Sequence, residues 1–245
     1  MRAVLRVGAC QTPELLGDVD AAIACMAGFA ERDEAHDLDL LLFPEGFLQG
    51  YLVEPAHLNR HALSLDSAGF AAVLRRLRPI RQTLVFGMIE ADGDDLYNSA
   101  AVVTGGELAG VYRKTHLTDG EQYFAPGGSY PTFVCNGVRF GINICYDTQF
   151  PEAAAAVAGQ GARVLLVPAQ NMMRRPAADE WRDRHHRIRA ERARETRMWL
   201  VSADVTGERD ELRVGYGPTS VLSPAGEVLA QVPLGTTGMV TAAIR

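Results

Sequence analysis

What this sequence lacks narrows it first. Cysteine is sparse, with four in 245 residues: Cys10, Cys25, Cys135 and Cys145. No two of them stand in C-x-x-C spacing, so neither a zinc site nor a disulfide framework is indicated. No apolar stretch approaches the roughly 20 residues that span a bilayer, and the opening Met1-Arg2-Ala3-Val4 does not begin a signal peptide. The expectation is a cytoplasmic protein without a membrane segment. Gly/Ser-rich linkers and charge blocks are missing too, which leaves no mark of a domain boundary and predicts a single domain over residues 1–245. Positive charge is in deficit: the formal net charge is −6, which argues against general binding of nucleic acid.

What is present is an apolar content of 47%, ample for a packed core, in strand-like and helix-like stretches that alternate along the chain. The stretch Val138 to Ile144 alternates Val138, Phe140, Ile142 and Ile144 with Arg139, Gly141 and Asn143, the period of a strand with one buried face. It stops directly before Cys145. Pro151 lies near the first turn of a helix that follows, so strand, tight turn and helix N-terminus form a nucleophile elbow with sulfur as the nucleophile. The backbone N–H of Tyr146 is then aimed at an acyl oxygen, and the positive helix end favours a thiolate. A lone cysteine is more often a core residue, so Cys145 needs partners.

Two stretches supply them. Leu38 to Phe43 is a nearly unbroken apolar run that ends in Pro44-Glu45-Gly46, and Glu107 to Tyr112 reads as a strand running into Lys114. A carboxylate, an ammonium and a thiol thus stand at three strand ends, where open sheets gather their ligands. Elsewhere, Ala3–Ala9 reads as a strand, and Asp18 or Asp20 caps a helix to about Arg32. Asp66 opens another through Leu77, with Phe47 to His61 irregular before it. A hairpin covers Thr83 to Thr104, a buried strand Arg163 to Val167, and a strand Met198 to Asp204. Val214–Leu222 and Val228–Val232 form a second hairpin, and Met239–Ile244 a last strand. The arginine-rich segment Asp179 to Arg197 pairs Glu180 with Arg184 and Asp183 with Arg187 at i, i+4, the pattern of a salt-laced surface helix.

Phe43-Pro44-Glu45-Gly46, Tyr112-Arg113-Lys114-Thr115-His116-Leu117, and Ile144-Cys145-Tyr146-Asp147 with Phe150-Pro151-Glu152 resemble the three signature segments of the nitrilase, or carbon–nitrogen hydrolase, superfamily. Asn98-Ser99-Ala100 and Arg192-Ala193-Arg194-Glu195 resemble further family patterns. The resemblance implies an α/β fold, a four-layer α-β-β-α sandwich with two mixed β-sheets. It also implies a Glu45-Lys114-Cys145 triad hydrolysing a small-molecule amide through a thioester, without metal or organic cofactor. Carbamoyl compounds and nitriles are the alternative substrates, and a catalytically silent binding protein the alternative class. Gly120-Glu121 with Phe124-Ala125-Pro126-Gly127 matches the segment that places a second glutamate, Glu121, in the active site; an exposed loop acid is the other reading. A homodimer or higher homo-oligomer is implied, with the Ala-rich segment after Pro151 as contact.

Tyr51, Tyr146, Gln170, Asn171 and Arg174 are the candidates for holding substrate, and Arg174 or Arg175 is placed to grip a substrate carboxylate bidentately unless simply solvated. The loop Ala169 to Pro176 departs from the family's common Thr-Gly and His-Trp, of which Trp181 alone survives. Gln149 stands where many members carry arginine.

Overall fold

Leu40 and Leu42 face one way from their strand while Leu41 and Phe43 face the other, and all four are fully buried. Alternation of this kind means that the strand is covered on both sides, which is why its sequence is continuously apolar. In a computed structural model, which describes residues 3–245, the same holds for the strand Val164–Pro168. The strands are β1 (Leu5–Pro13), β2 (Leu40–Leu42), β3 (Thr83–Asp92), β4 (Asp95–Thr104), β5 (Glu107–Arg113), β6 (Thr132–Cys135), β7 (Val138–Ile142), β8 (Val164–Pro168), β9 (Met173–Arg174), β10 (Trp199–Ala203), β11 (Val205–Glu208), β12 (Arg213–Tyr216), β13 (Ser220–Leu222), β14 (Val228–Gln231) and β15 (Gly238–Ile244). The helices are α1 (Val19–Ala30), α2 (Pro55–His61), α3 (Ala68–Leu77), α4 (Pro151–Ala158) and α5 (Arg175–Thr196).

One sheet runs β5-β4-β3-β2-β1-β11-β12-β9, with β15 also paired to β1; the other runs β14-β13-β10-β8-β7-β6. Both are mixed. β1, β2 and β3 are parallel neighbours, as are β7, β8 and β10; β11 is also parallel to β1, and the other strands beside each set, β4 and β15 in the first and β6 and β13 in the second, are antiparallel. Val7, Leu42, Phe140, Ile142, Leu166 and Val201 fill the space between the sheets. Met26 and Phe29 of α1 and Phe70 and Leu77 of α3 cover the outer face of the first sheet against Leu41 and Phe86. Ala154 and Val157 of α4 and Ala190 and Ala193 of α5 cover the second against Leu165 and Leu200. The result is the α-β-β-α layering. No helix among the described residues is long and apolar enough to cross a membrane.

Several local expectations change. The stretch read as irregular contains α2, started by Pro55 at a position where a missing N–H costs nothing. Ser67, not Asp66, caps α3, its hydroxyl accepting from the Phe70 N–H at 3.1 Å; Asp66 instead accepts from Ser64. The run Val214–Leu222 is two strands in different sheets, because Gly217-Pro218 interrupts it and the chain crosses from one layer to the other. Helix α5 carries the expected Glu180–Arg184 pair at 2.7 Å, yet it is not a surface helix along its length. Arg189 and Arg192 are buried in it. In α4 the buried residues Ala153, Ala154 and Val157 are spent on packing within the chain, and Val157 lies so close to Gly141 that any Cβ there would fall 2.4 Å from it.

Candidate active site

Each reactive side chain sits just past a strand end, held there by a specific local contact. Glu45 follows β2, its N–H donating to the Ala169 carbonyl at 3.2 Å. Gly87 of β3 makes the approach possible: a Cβ at that position would stand 2.1 Å from the Gly46 nitrogen and 2.6 Å from the Glu45 Cα. Lys114 follows β5, with its N–H donating to the Asn98 carbonyl at 2.8 Å. Cys145 has φ 43°, a left-handed backbone that a non-glycine residue adopts only when its surroundings impose it. Here Asp147 imposes it by closing the turn. Its carboxylate accepts from the Ile144 N–H at 2.9 Å, while the Asp147 N–H donates back to the Ile144 carbonyl at 3.0 Å.

Asp147 also ties the cysteine turn to the lysine loop. It accepts from the Tyr112 hydroxyl at 2.7 Å and from the N–H groups of Thr115 and His116 at 3.2 and 2.9 Å. One buried carboxylate therefore sets the positions of two reactive groups at once.

The Lys114 ammonium donates to Glu45 Oε1 at 2.7 Å and to Glu121 Oε1 at 3.0 Å. Asn98 Nδ2 donates to the same two oxygens at 2.7 and 2.8 Å. The remaining oxygen of each carboxylate is also satisfied: Glu45 Oε2 by the Gln170 N–H at 3.0 Å, Glu121 Oε2 by the Thr118 N–H at 2.9 Å. All three charged groups are buried.

Their environments push them apart. Burial raises the proton affinity of Glu45, and the Glu121 charge adds to this, so its pKa is raised although Lys114 and Asn98 oppose it. Burial acts in the same sense on Glu121, but there Lys114, the Thr118 N–H and Asn98 prevail and its pKa is lowered. Burial alone would discharge Lys114, yet Glu45 and Glu121 outweigh it and hold the ammonium protonated. For Cys145, burial and then the Glu45 charge push the thiol well up, with Lys114 only partly offsetting them. The resting group is thus a thiol. Burial outweighs the pull of the short 3-10 turn Cys145–Gln149 at whose start the thiol sits, and α4 begins only at Pro151.

Behind the thiol lies a second buried ion pair. The Cys145 thiol donates to Asn171 Oδ1 at 3.8 Å, the Asn171 amide donates to Asp204, and Asp204 faces the Arg189 guanidinium at 3.6 Å. Arg189 is fixed by donating to Ser202 Oγ at 3.0 Å and the Pro218 carbonyl at 2.8 Å.

Glu45, Lys114 and Cys145 border one cavity of about 470 Å³. Tyr51, Tyr146, Gln170 and Asn171 line it as well. Burial and then the charges of Glu45 and Glu121 keep the Tyr51 phenol protonated. Glu121 stands behind Lys114, buried, and not as an exposed loop acid. Arg174 is exposed and does not border the cavity, and Arg175 pairs with Glu208 at 2.9 Å. Arg209 is the guanidinium that does border it. No group of three or more His, Cys, Asp or Glu side chains among the described residues is disposed to hold a metal ion.

Sequence reasoning passed over Asp147, Asp204, Arg189 and Arg209. Asp147 stood two residues after the cysteine and carried a signal, since an acid in the first turn after a strand end is placed to accept backbone N–H groups. The other three depend on chain crossings that no local pattern reports.

A sequence profile described as carbon-nitrogen hydrolase matches residues 6–245. The chain is 35% identical over 196 residues to an (R)-stereoselective amidase of Pseudomonas sp., a match covering 80% of this chain and 69% of that one. Among solved structures, an amidase from Nesterenkonia sp. superposes with TM-score 0.83 at 25% identity, over 100% of this chain and 92% of that chain. Saccharomyces cerevisiae Nit3, described as a member of branch 10 of the nitrilase superfamily, does so with TM-score 0.86 at 22% identity, over 100% and 91%; that likeness speaks to the fold.

Proposed function

Because the chain belongs to the carbon–nitrogen hydrolase family, we propose that it hydrolyses a small linear amide, releasing ammonia or an amine, with Cys145 as nucleophile. The observation that carries this reading is the convergence of Glu45, Lys114 and Cys145 on one cavity, where Lys114 bridges Glu45 and Glu121 at 2.7 and 3.0 Å and the two carboxylates are driven in opposite directions beside a neutral thiol. Titratable neighbours driven apart in this way mark an acid/base assignment. Glu45, whose proton affinity is raised, is the group that shuttles protons. Glu121, lowered, is the fixed counter-charge of Lys114.

As the Cys145 sulfur attacks the amide carbonyl carbon, Glu45 takes the thiol proton, so no free thiolate accumulates. An ammonium has three N–H donors. Two of those on Lys114 go to Glu45 and Glu121, and the third is free for the oxyanion, joined by the backbone N–H of Tyr146. Losing one such donor costs about 3 kcal/mol of transition-state stabilisation. When the tetrahedral adduct collapses, Glu45 passes its proton to the departing nitrogen, the C–N bond breaks and a thioester remains on Cys145. Glu45 then deprotonates a water that attacks the thioester carbonyl; the acid leaves and the sulfur regains a proton.

An amide is favoured over a carbamoyl amino acid because Gln149, uncharged, borders the cavity where many relatives carry arginine, and Arg174 is turned away from it. The test is ammonia release from a panel of short primary amides, with Cys145→Ala as control. Release by the wild type and none by the variant is expected. Equal, background-level release from both overturns the proposal in favour of a silent binding protein.

A further inference from the structure

Four residues of the cavity wall come from one helix: Ala177, Trp181, His185 and Ile188 of α5. Their spacing repeats every three or four positions, which lays them in a stripe along one face. The stripe faces the cavity instead of the core. Leu52, Val53, Met172 and Met173 complete the apolar surface from other elements. His185 adds ring surface without charge, because burial, and then the Arg189 charge, hold its pKa down at about 3. Its ring lies 5.5 Å from that of Trp181.

Among the described residues Arg209 is the one cation of the wall besides Lys114, and it is already engaged. Its Nε donates to Glu14 Oε2 at 2.6 Å, its Nη2 donates to the other oxygen of Glu14, and Nη2 reaches the Tyr51 carbonyl at 3.3 Å. The Glu14 side chain is only 7% exposed and also accepts from Gln170. A bidentate guanidinium–carboxylate pair of this kind leaves no charge free for a ligand, and a substrate carboxylate that displaced Glu14 would strand it buried and unpaired.

We propose that the cavity selects amides whose acyl group is apolar and uncharged, packed on the Trp181 and Ile188 stripe, and that Glu14 sets this selectivity by occupying Arg209 and so turning away acyl groups that end in a carboxylate. The inference rests on the amidase reading. Its chemistry is that of amide hydrolysis: amide and water give the apolar acid and ammonia.

The test separates the two readings. The full-length Cys145→Ala variant is titrated with 3-phenylpropanamide and with the same amide carrying a para-carboxylate, and the wild type is assayed with both for ammonia release. The uncharged amide is expected to bind at least about tenfold more tightly, with the same preference in kcat/KM. Trp181→Ala in the Cys145→Ala background narrows the gap by weakening the uncharged amide. Glu14→Gln narrows it from the other side, by freeing Arg209 for the carboxylate, and adding Arg209→Met removes that gain. Equal or tighter binding of the carboxylated amide overturns the inference whatever the variants do. So does a Glu14→Gln ratio within about twofold of the parent. Selective binding of the uncharged amide without ammonia release overturns the amidase reading and leaves the selectivity standing; preferential hydrolysis of the carboxylated amide does the reverse.

Discussion

Glu45 and Glu121 are joined through the same two donors: Lys114 Nζ, at 2.7 and 3.0 Å, and Asn98 Nδ2, at 2.7 and 2.8 Å. Two buried carboxylates held this close to one ammonium cannot titrate independently; Glu121, whose Oε2 accepts from the Thr118 hydroxyl at 3.2 Å as well as from the Thr118 N–H, has one donor more than Glu45, which keeps the higher proton affinity. That asymmetry supports the proton-shuttle role proposed for Glu45.

Replacing Glu121 with Gln tests the assignment through pH. The negative charge of Glu121 raises the pKa of Glu45, so its removal lowers it. Lys114, left with Glu45 as its sole carboxylate partner, pulls in the same direction. The acid limb of kcat/KM reports ionisation of the base in the free enzyme. It is therefore expected to move to lower pH, while kcat falls about 100-fold as Lys114 loses its counter-charge. An acid limb that stays in place, or moves up, would remove Glu45 from the role.

Asp147→Asn tests the tie between the cysteine turn and the lysine loop. The carboxylate accepts from Tyr112, Ile144, Thr115 and His116, whereas an amide presents one oxygen and turns N–H groups toward donors. Stability measured by denaturant midpoint is expected to drop by about 2–3 kcal/mol, against about 1 kcal/mol for Tyr112→Phe, which removes one donor. Activity of the surviving folded fraction should fall as well, because Lys114 and Cys145 both shift. A folded Asp147→Asn enzyme with full activity would show that the tie positions neither.

Gly87→Ala puts a methyl group 2.1 Å from the Gly46 nitrogen and 2.6 Å from the Glu45 Cα. Either β3 or the Glu45 segment must retreat. Overpacking of this kind costs about 1–3 kcal/mol, and displacing a catalytic group by about 1 Å lowers kcat roughly 100-fold. Circular dichroism with steady-state rates on amide substrates gives both quantities. Wild-type kcat in a stable Gly87→Ala protein would mean that the Glu45 position tolerates what the geometry forbids.

The strand ends at Glu45, Lys114 and Cys145 were legible because each rests on local signals, an apolar run or alternation followed by a turn. Leu40 to Phe43 was legible as a strand covered on both faces because it reads as an unbroken apolar segment, whereas the α-β-β-α layering was implied by the resemblance to the family and not by any local pattern. What escaped depends on where the chain goes next. Val214 to Leu222 has the period of one strand, yet Gly217-Pro218 divides it between two sheets. Helix α5 has the charge pattern of an exposed helix, and its Glu180–Arg184 pair obeys that pattern. Five residues beyond Arg184, Arg189 is buried against Asp204, a partner supplied by the residue after β10. The stripe Ala177, Trp181, His185 and Ile188 was present in the sequence as a helical period, hidden by the charges between its members. Arg174 is exposed outside the cavity, on β9 where it pairs with β12, and Arg209, which no sequence pattern singled out, borders the cavity instead.

The central claim is that Glu45 delivers the proton step that makes the Cys145 sulfur attack an amide. Rapid-quench mass spectrometry of the Cys145 peptide, comparing wild type with the isosteric Glu45→Gln variant during a single turnover, measures that step alone. The wild type is expected to accumulate the acyl adduct on Cys145, with acylation in Glu45→Gln slower by about 100-fold or more. Acylation of Glu45→Gln within a few fold of wild type, or an adduct on any residue other than Cys145, would contradict the account.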